Sequence, residues 1–312
     1  MNSVFDIVLP VFGILMLGYV AARAGAFDES ANRGLSLFVF TFSLPLLLFQ
    51  AIATANLPSD IPWSFLVAYY GGTFMAMALA MTIGRFMFGR RLDEQGVVAL
   101  GGGFSNVSML GIPLIIASFG QQAALPLFIL LSVHALTLLP VITAIIEAGR
   151  GRNQRFHLVL LSIGRGLATN PIILGLAAGL TCNLTGLILP GNVLAITKSL
   201  GGAAVPCSLF VLGASIARYR IAGNVAEPLM LVAIKNVVHP AIVWLLATQV
   251  FALPKLWSLV AVTLAALPTG VTAYLFAQRY QTCVANTATT ILISTGFSAL
   301  TLSALVYLLA IT

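Results

Sequence analysis

Residues 101–113 read Gly101-Gly102-Gly103-Phe104-Ser105-Asn106-Val107-Ser108-Met109-Leu110-Gly111-Ile112-Pro113. The chain around them is apolar in both directions, with no Asp, Glu, Lys or Arg between Glu94 and Glu147. A run of that length holds two membrane-crossing helices of about 20 residues each. Its centre nevertheless carries glycines, a proline and small polar side chains, which weaken or break a helix. Backbone groups freed in lipid must be satisfied by protein or by a water-lined cavity. The stretch therefore predicts a membrane helix interrupted at mid-depth, beside a path for solute.

Composition agrees along the whole chain. Of 312 residues 60% are hydrophobic and 7% charged, against about 25% charged in an ordinary soluble domain. The gaps between charges reach a span length again from Asp60 to Arg85 and from Tyr280 onward. A water-soluble domain is excluded. The net charge of +7 sits in short connecting loops without interleaved aromatics, so the bilayer is the expected partner and nucleic acid is not. Cys182, Cys207 and Cys283 fall in separate segments without metal-ligand spacing. No disulfide, metal site or cofactor is expected. Residues 1–6 carry no Lys or Arg, and the first cation, Arg23, follows the apolar run. Residues 4–22 thus read as a retained first span and not as a cleaved signal.

Hydropathy places spans near 4–22, 34–54, 62–84, 96–119, 122–147, 158–181, 192–217, 228–250, 256–278 and 285–311. The loops after odd-numbered spans hold eleven arginines, from Arg23 to Arg279, and those after even-numbered spans hold Lys255 alone. Cytoplasmic loops collect Lys and Arg, so both termini are predicted outside. The halves resemble each other: a shift of 161 positions lays Pro10 on Pro171, Gly18 on Gly179, Gly25 on Gly186, Pro45 on Pro206 and Leu48-Phe49 on Leu209-Phe210. With a six-residue deletion, Pro113 falls on Pro268. Five spans per copy invert the second copy relative to the first, as in many secondary transporters. The expected fold is all-α and integral to the membrane, with a first repeat at 1–148, a cytoplasmic hinge loop at 149–157 and a second repeat at 158–312.

The ninth span carries a matching interruption, Ala266-Leu267-Pro268-Thr269-Gly270-Val271-Thr272. One such helix alone reads better as ordinary packing, because Gly and Pro are common in membrane helices. Two breaks at corresponding places mark a transporter's binding site. The candidate binding residues are Ser105, Asn106, Ser108, Gly111, Pro113, Pro268, Thr269, Gly270 and Thr272. Half-helix N-termini offer free N–H groups and a positive dipole end, which suit an anion. Asn106 stands out, since an amide buried in lipid needs partners and can bind a carboxylate. Lys235, Asn236 and His239 on the eighth span are candidates for substrate or ion coupling, with snorkelling of Lys235 to the interface an open alternative. Arg165 and Lys198 lie near span ends and read as snorkelling, and His134 reads as a packing residue. No acid lies mid-span. A sodium site would rest on carbonyls, Asn and hydroxyls, and a proton would ride on His239, His134 or Lys235, so Na+ and H+ both stay open.

These residues resemble a family. Phe104-Ser105-Asn106 followed by Gly111-Ile112-Pro113-Leu114 resembles the fourth-helix signature of the auxin efflux carrier family. Asn170-Pro171 with Gly179 is similar to its sixth helix, Pro206 with Leu212-Gly213 to its seventh, and Leu267-Pro268-Thr269 with Ala277, Arg279 and Tyr280 to its ninth. The likeness covers nearly the whole chain without a large insert, as in the short bacterial branch, whose place is the cytoplasmic membrane. It implies ten helices in two inverted five-helix repeats, a fold shared with bile acid sodium symporters. It also implies crossing of helices 4 and 9 at the site and carboxylate substrates such as malonate or auxin. Val107-Ser108 stands where the family pattern has a Gly-Phe pair, which leaves the particular anion open.

The function expected is secondary active transport of a small organic anion by an elevator. Spans 3–5 and 8–10 contain both breaks and must move together. Spans 1, 2, 6 and 7 hold the best-preserved repeat register and no mid-span break, which suits a static, dimeric scaffold. An anion channel is the alternative, because broken helices also build filters. An enzyme is not expected: there is no His-Glu-x-x-His, no Gly-x-Ser-x-Gly and no Asp pair within the spans. Ser105 with His134 or His239 would be the sole dyad.

Overall fold

Helix ends in this chain are decided by caps and glycines more than by where the apolar run stops. The computed structural model describes residues 4–311 apart from 56, 58, 59, 152–160, 162, 163, 167 and 222, with the main chain alone at 4–8 and 306–311. Its helices are α1 Val4–Arg23, α2 Glu29–Ala53, α3 Ser64–Phe88, α4a Leu92–Gly103, α4b Val107–Phe119, α5 Gln121–Gly149, α6 Pro171–Thr185, α7 Gly191–Ile216, α8 Ala226–Val250, α9a Lys255–Ala266, α9b Val271–Tyr280 and α10 Val284–Ile311. The second helix starts five residues ahead of the predicted 34, because the Asp28 carboxylate accepts the Ala31 N–H at 2.8 Å. The third runs past 84 to Phe88 and stops where Gly89 turns left-handed at φ 65. The fourth starts at Leu92, held by the Arg91 N–H donated to Glu94 at 2.9 Å. The predicted hinge at 149–157, with Arg152 and Arg155, and the predicted start of the sixth span near 158 lie largely outside the described residues.

The molecule is an all-helical, multi-pass membrane protein. Among the described residues six helices (α2, α3, α5, α7, α8 and α10) are long and apolar enough to cross a membrane, and α1, α4b, α6 and α9a contribute shorter apolar stretches. Its polarity runs opposite to that of a soluble domain. Met16, Leu17, Phe42 and Leu229 face outward, whereas Asn106, Lys235, Asn236, His239 and Ser294 are buried.

Three of the prolines inside these helices, Pro45, Pro113 and Pro240, are accommodated by π-turns. Val39–Ser43 precedes Leu44-Pro45, Val107–Gly111 precedes Ile112-Pro113, and Ile234–Val238 precedes His239-Pro240. In each case the residue before proline donates its N–H five residues back: Leu44 to Val39, Ile112 to Val107 and His239 to Ile234. A proline ring collides with the carbonyl four residues back and offers it no donor. Widening the turn by one residue moves that carbonyl aside without exposing the backbone to lipid.

The helices sort into two groups by how they hold together. In one, α1 lies along α7, and α2 lies along α6 and α7. Glycine permits these close approaches: a Cβ on Gly18 would collide with the Phe210 main chain, and one on Gly179 with the Phe49 main chain. The polar ties of this group are few. Asn183 donates to the Ile52 and Ala55 carbonyls at 2.9 and 2.7 Å, Ser43 donates to Leu200 O at 2.9 Å, and Asn32 donates to Ser215 Oγ at 3.0 Å. In the other group α3 packs on α4a and α8, α4a on α5, and α8 on α9a and α10. Here the ties are charged. Arg90 forks onto the buried Glu227 (Nε to Oε1 2.9 Å), pairs with Glu94 at 3.1 Å, and is held even more firmly protonated by the Glu227 bonds. Asn286 also donates to Glu227, and Arg150 faces Asp93 at 3.7 Å while donating to the Tyr280 carbonyl. One expectation needs correction: the first group is not free of mid-span interruptions. The α7 helix breaks its pattern for one residue at Ala203, ahead of Pro206, and α6 begins only at Pro171 behind the Asn170 cap.

Candidate substrate site at the helix crossing

The fourth span loses its helix at Phe104–Asn106 and the ninth at Leu267–Gly270. These two extended segments run antiparallel past each other, with Ser105 opposite Thr269. The Asn106 N–H donates to Pro268 O at 3.0 Å, and the Gly270 N–H donates to Phe104 O at 2.8 Å. Each break thus satisfies backbone groups of the other, which is how two unwound stretches exist together away from water. Gly270 is required at this spot, since a Cβ there would strike the Phe104 ring. The two prolines that align in the sequence do not face each other. Pro113 lies beyond the break, taken up by its π-turn, while Pro268 lies within one.

Buried side chains bind the crossing from behind. Lys235 is 0% exposed and donates from Nζ to Ala265 O and Leu267 O, both at 2.6 Å. It caps the C-terminal end of α9a with a positive charge at the negative pole of that half-helix. Snorkelling does not describe it, in contrast to Arg165 and Lys198, which are exposed. Thr269 Oγ1 donates to Gly101 O at 2.7 Å, and its N–H donates to Ser294 Oγ at 3.1 Å. Asn236 donates to Ser294 O at 3.2 Å, and His239 Nε2 lies 3.0 Å from Thr73 Oγ1.

In front of the crossing is a cavity of about 470 Å³. Ser105, Asn106, Ser108, Gly270 and Thr272 line it, together with Thr41 of α2, Leu131 and His134 of α5, and Asn170-Pro171 at the start of α6. The opening turns of α4b and α9b both border it, and the first N–H groups of a helix lack intrahelical acceptors. Two side chains on this wall hold buried polar groups without partners, Asn106 at Nδ2 and His134 at both ring nitrogens, and the Ser105 hydroxyl is buried beside that of Tyr69. An orphaned buried polar group costs about 1–3 kcal/mol, so a cluster of them calls for a polar ligand.

Of the residues singled out in the sequence, Gly111, Pro113, Pro268 and Thr269 support the crossing without reaching the cavity, and Lys235, Asn236 and His239 stand behind it. The sequence reading missed Thr41 and His134 as cavity residues. Thr41 carries no signal at all in the sequence. His134 was readable as a buried ionisable group on a membrane helix, but its neighbours come from α3 and α4a, far along the chain.

An apolar helical shell around crossed half-helices and an inward cluster of unpaired polar groups defines a membrane protein that takes a polar solute into its interior. The chain belongs to the auxin efflux carrier family: the model for the family described as "Membrane transport protein" matches residues 3–306. Its relatives include a Rhizobium meliloti (strain 1021) protein named "Putative malonate transporter", 29% identical over 309 residues that cover 99% of this chain and 97% of the relative. An uncharacterized transporter of Methanocaldococcus jannaschii is 23% identical over 309 residues, covering 96% of each chain. Auxin efflux carrier component 8 of Arabidopsis thaliana is 33% identical over 130 residues, 37% of this chain and 33% of its own. The protein is a membrane transporter with a small-molecule substrate.

Proposed function

We propose that this transporter is a secondary carrier of small carboxylates, with the cavity at the helix crossing as its substrate site. The observation that carries the reading is the orphaned Asn106 amide beside two half-helix N-termini, in a cavity whose described lining contains no acid. Donors without competing negative charge suit a carboxylate, and the malonate and auxin names among the relatives point to the same chemistry. The chain crosses the bacterial cytoplasmic membrane ten times as two inverted five-span repeats, with both termini outside. Support for the repeat comes from the 161-position shift, which carries Gly18 to Gly179 and Phe49 to Phe210 and exchanges the contact Gly18–Phe210 for Gly179–Phe49. The elevator reading moves spans 3–5 and 8–10 as one body against a dimeric scaffold of spans 1, 2, 6 and 7. It is supported by the hydrogen bonds and ion pairs described above, each of which stays within one of the two groups. The cavity lies between them, with Thr41 and Asn170 on one side and Asn106 and His134 on the other.

Counterflow of labelled malonate in proteoliposomes tests the function. Wild type should show saturable exchange, and Asn106→Ala should lose it by about 100-fold while staying monodisperse in detergent, since hydrogen bonds to a charged ligand are worth about 1.5–3 kcal/mol each. Flux that never saturates would replace the carrier with a channel. The orientation is read by an impermeant maleimide on intact cells: cysteine at Asn192 should label and cysteine at Asn153 should not.

A further inference from the structure

His134 is the one ionisable side chain among the described residues lining the cavity. It is 5% exposed, and neither ring nitrogen has a hydrogen-bond partner. Its surroundings hold it in place without engaging those nitrogens. The Phe104 ring lies 4.7 Å away, and the Tyr69 and Tyr70 rings of α3 lie 6.0 and 6.1 Å away. The Tyr70 hydroxyl is spent on Leu130 O at 2.7 Å. From α8, His239 stands behind Tyr69, with ring centroids 6.1 Å apart, and Lys235 gives its protons to α9a carbonyls. No carboxylate faces His134 from the cavity wall.

A dicarboxylate entering this cavity meets an electrostatic imbalance. One carboxylate is met by Asn106 and the half-helix N-termini, and the second has no fixed cation among the lining residues. Taking an unpaired carboxylate out of water costs several kcal/mol. Imidazole is the group here that can supply the missing charge, because its ordinary pKa of about 6.5 lies near neutrality. Resting on the carboxylate reading above, we infer that His134 binds the second carboxylate of a dicarboxylate as imidazolium, so that one proton enters the site with each dianion. Charge and atoms balance: neutral His134, a proton from the facing water and the dianion form a bound complex of net charge −1. The proton and the dianion leave together on the other side, restoring the neutral ring. The same cavity takes a monocarboxylate on Asn106 alone, without a proton.

The test compares wild type, His134→Gln and Asn106→Ala on two probes, malonate and acetate. At about pH 8, where free carboxyls are ionised and free imidazole is neutral, malonate added to weakly buffered wild-type protein should remove about one proton per site, read with an indicator dye. Acetate should remove none. His134→Gln should abolish this uptake, flatten the rise of malonate flux toward acid pH, and raise KM for malonate about tenfold or more, a much larger factor than for acetate. Should the Gln variant lose acetate exchange as well, His134→Phe, which fills the same place among Phe104, Tyr69 and Tyr70, carries the comparison. Proton uptake or a malonate KM that survives in the folded variant overturns the role of His134. A wild type that moves neither probe overturns the carboxylate reading itself, and loss of both probes in Asn106→Ala alone leaves that reading standing.

Discussion

The two helix groups are built by opposite means. Around α1, α2, α6 and α7 the helices meet through glycine, backbone against backbone, and the buried polar ties are hydrogen bonds between uncharged groups, with an Arg218–Glu29 pair at the exposed rim. Around α3, α4a, α5, α8, α9a and α10 the interior is wired with charge: Arg90 on Glu227, Arg150 with Asp93 and Tyr280, Lys235 on the end of α9a. Close glycine packing gives a surface with one well-defined fit. A buried network fixes the members of a body relative to one another, because breaking any bond strands a partner away from water. The contacts between the groups, such as α1 with α10 and α7 with α4b, are packing contacts of apolar helices. Such a contact can slide at little cost per step; a charged network cannot. On the elevator reading proposed above, the second group is the body that carries the site across.

The largest effect expected from this division is a complete arrest. A disulfide between cysteines at Thr41 of α2 and Leu131 of α5, which face one cavity from opposite groups, should stop counterflow and release it on reduction. One between cysteines at Ala80 of α3 and Gly102 of α4a, which touch within the second group and do not line the cavity, should leave most of the flux. Full formation of the first link with continued transport would show that the division is drawn in the wrong place.

A smaller but still large effect is expected within the second body. Lys235→Gln keeps some donor capacity but removes the charge and the reach to one of two carbonyls, and each orphaned carbonyl costs about 1–3 kcal/mol. The variant should lower the melting temperature in detergent and reduce transport, with the residual KM close to wild type, because Lys235 holds α9a and does not line the cavity. Lys198→Gln, exposed on α7, should change neither. A specific rise in KM for Lys235→Gln with unchanged thermal stability would assign the ammonium to substrate instead.

Much of this was readable before any fold was known. Charge-free runs set the spans, because lipid does not admit unpaired charge. The two interruptions were announced by residue types that weaken or end a helix, the glycine run that closes α4a before Phe104 and the proline of Leu267-Pro268, while their crossing was implied by the family resemblance. Asn106 could be picked out because an amide in lipid has few tolerable fates. Other points were beyond the reach of local chemistry. Pro113 looked like the equivalent breaker to Pro268, yet a π-turn absorbed it, and the break fell at Phe104–Asn106, just after α4a. Lys235 could have snorkelled, and the carbonyls that hold it instead lie thirty and thirty-two residues further along the chain. His134 looked like packing, and only the convergence of α3, α4a and α5 leaves its nitrogens unpaired at a cavity wall. Sequence alone determined which groups water and lipid would reject, since solvation acts residue by residue. Tertiary structure decided which rejected groups found one another and which were left open, because that depends on distances between segments that no local pattern encodes.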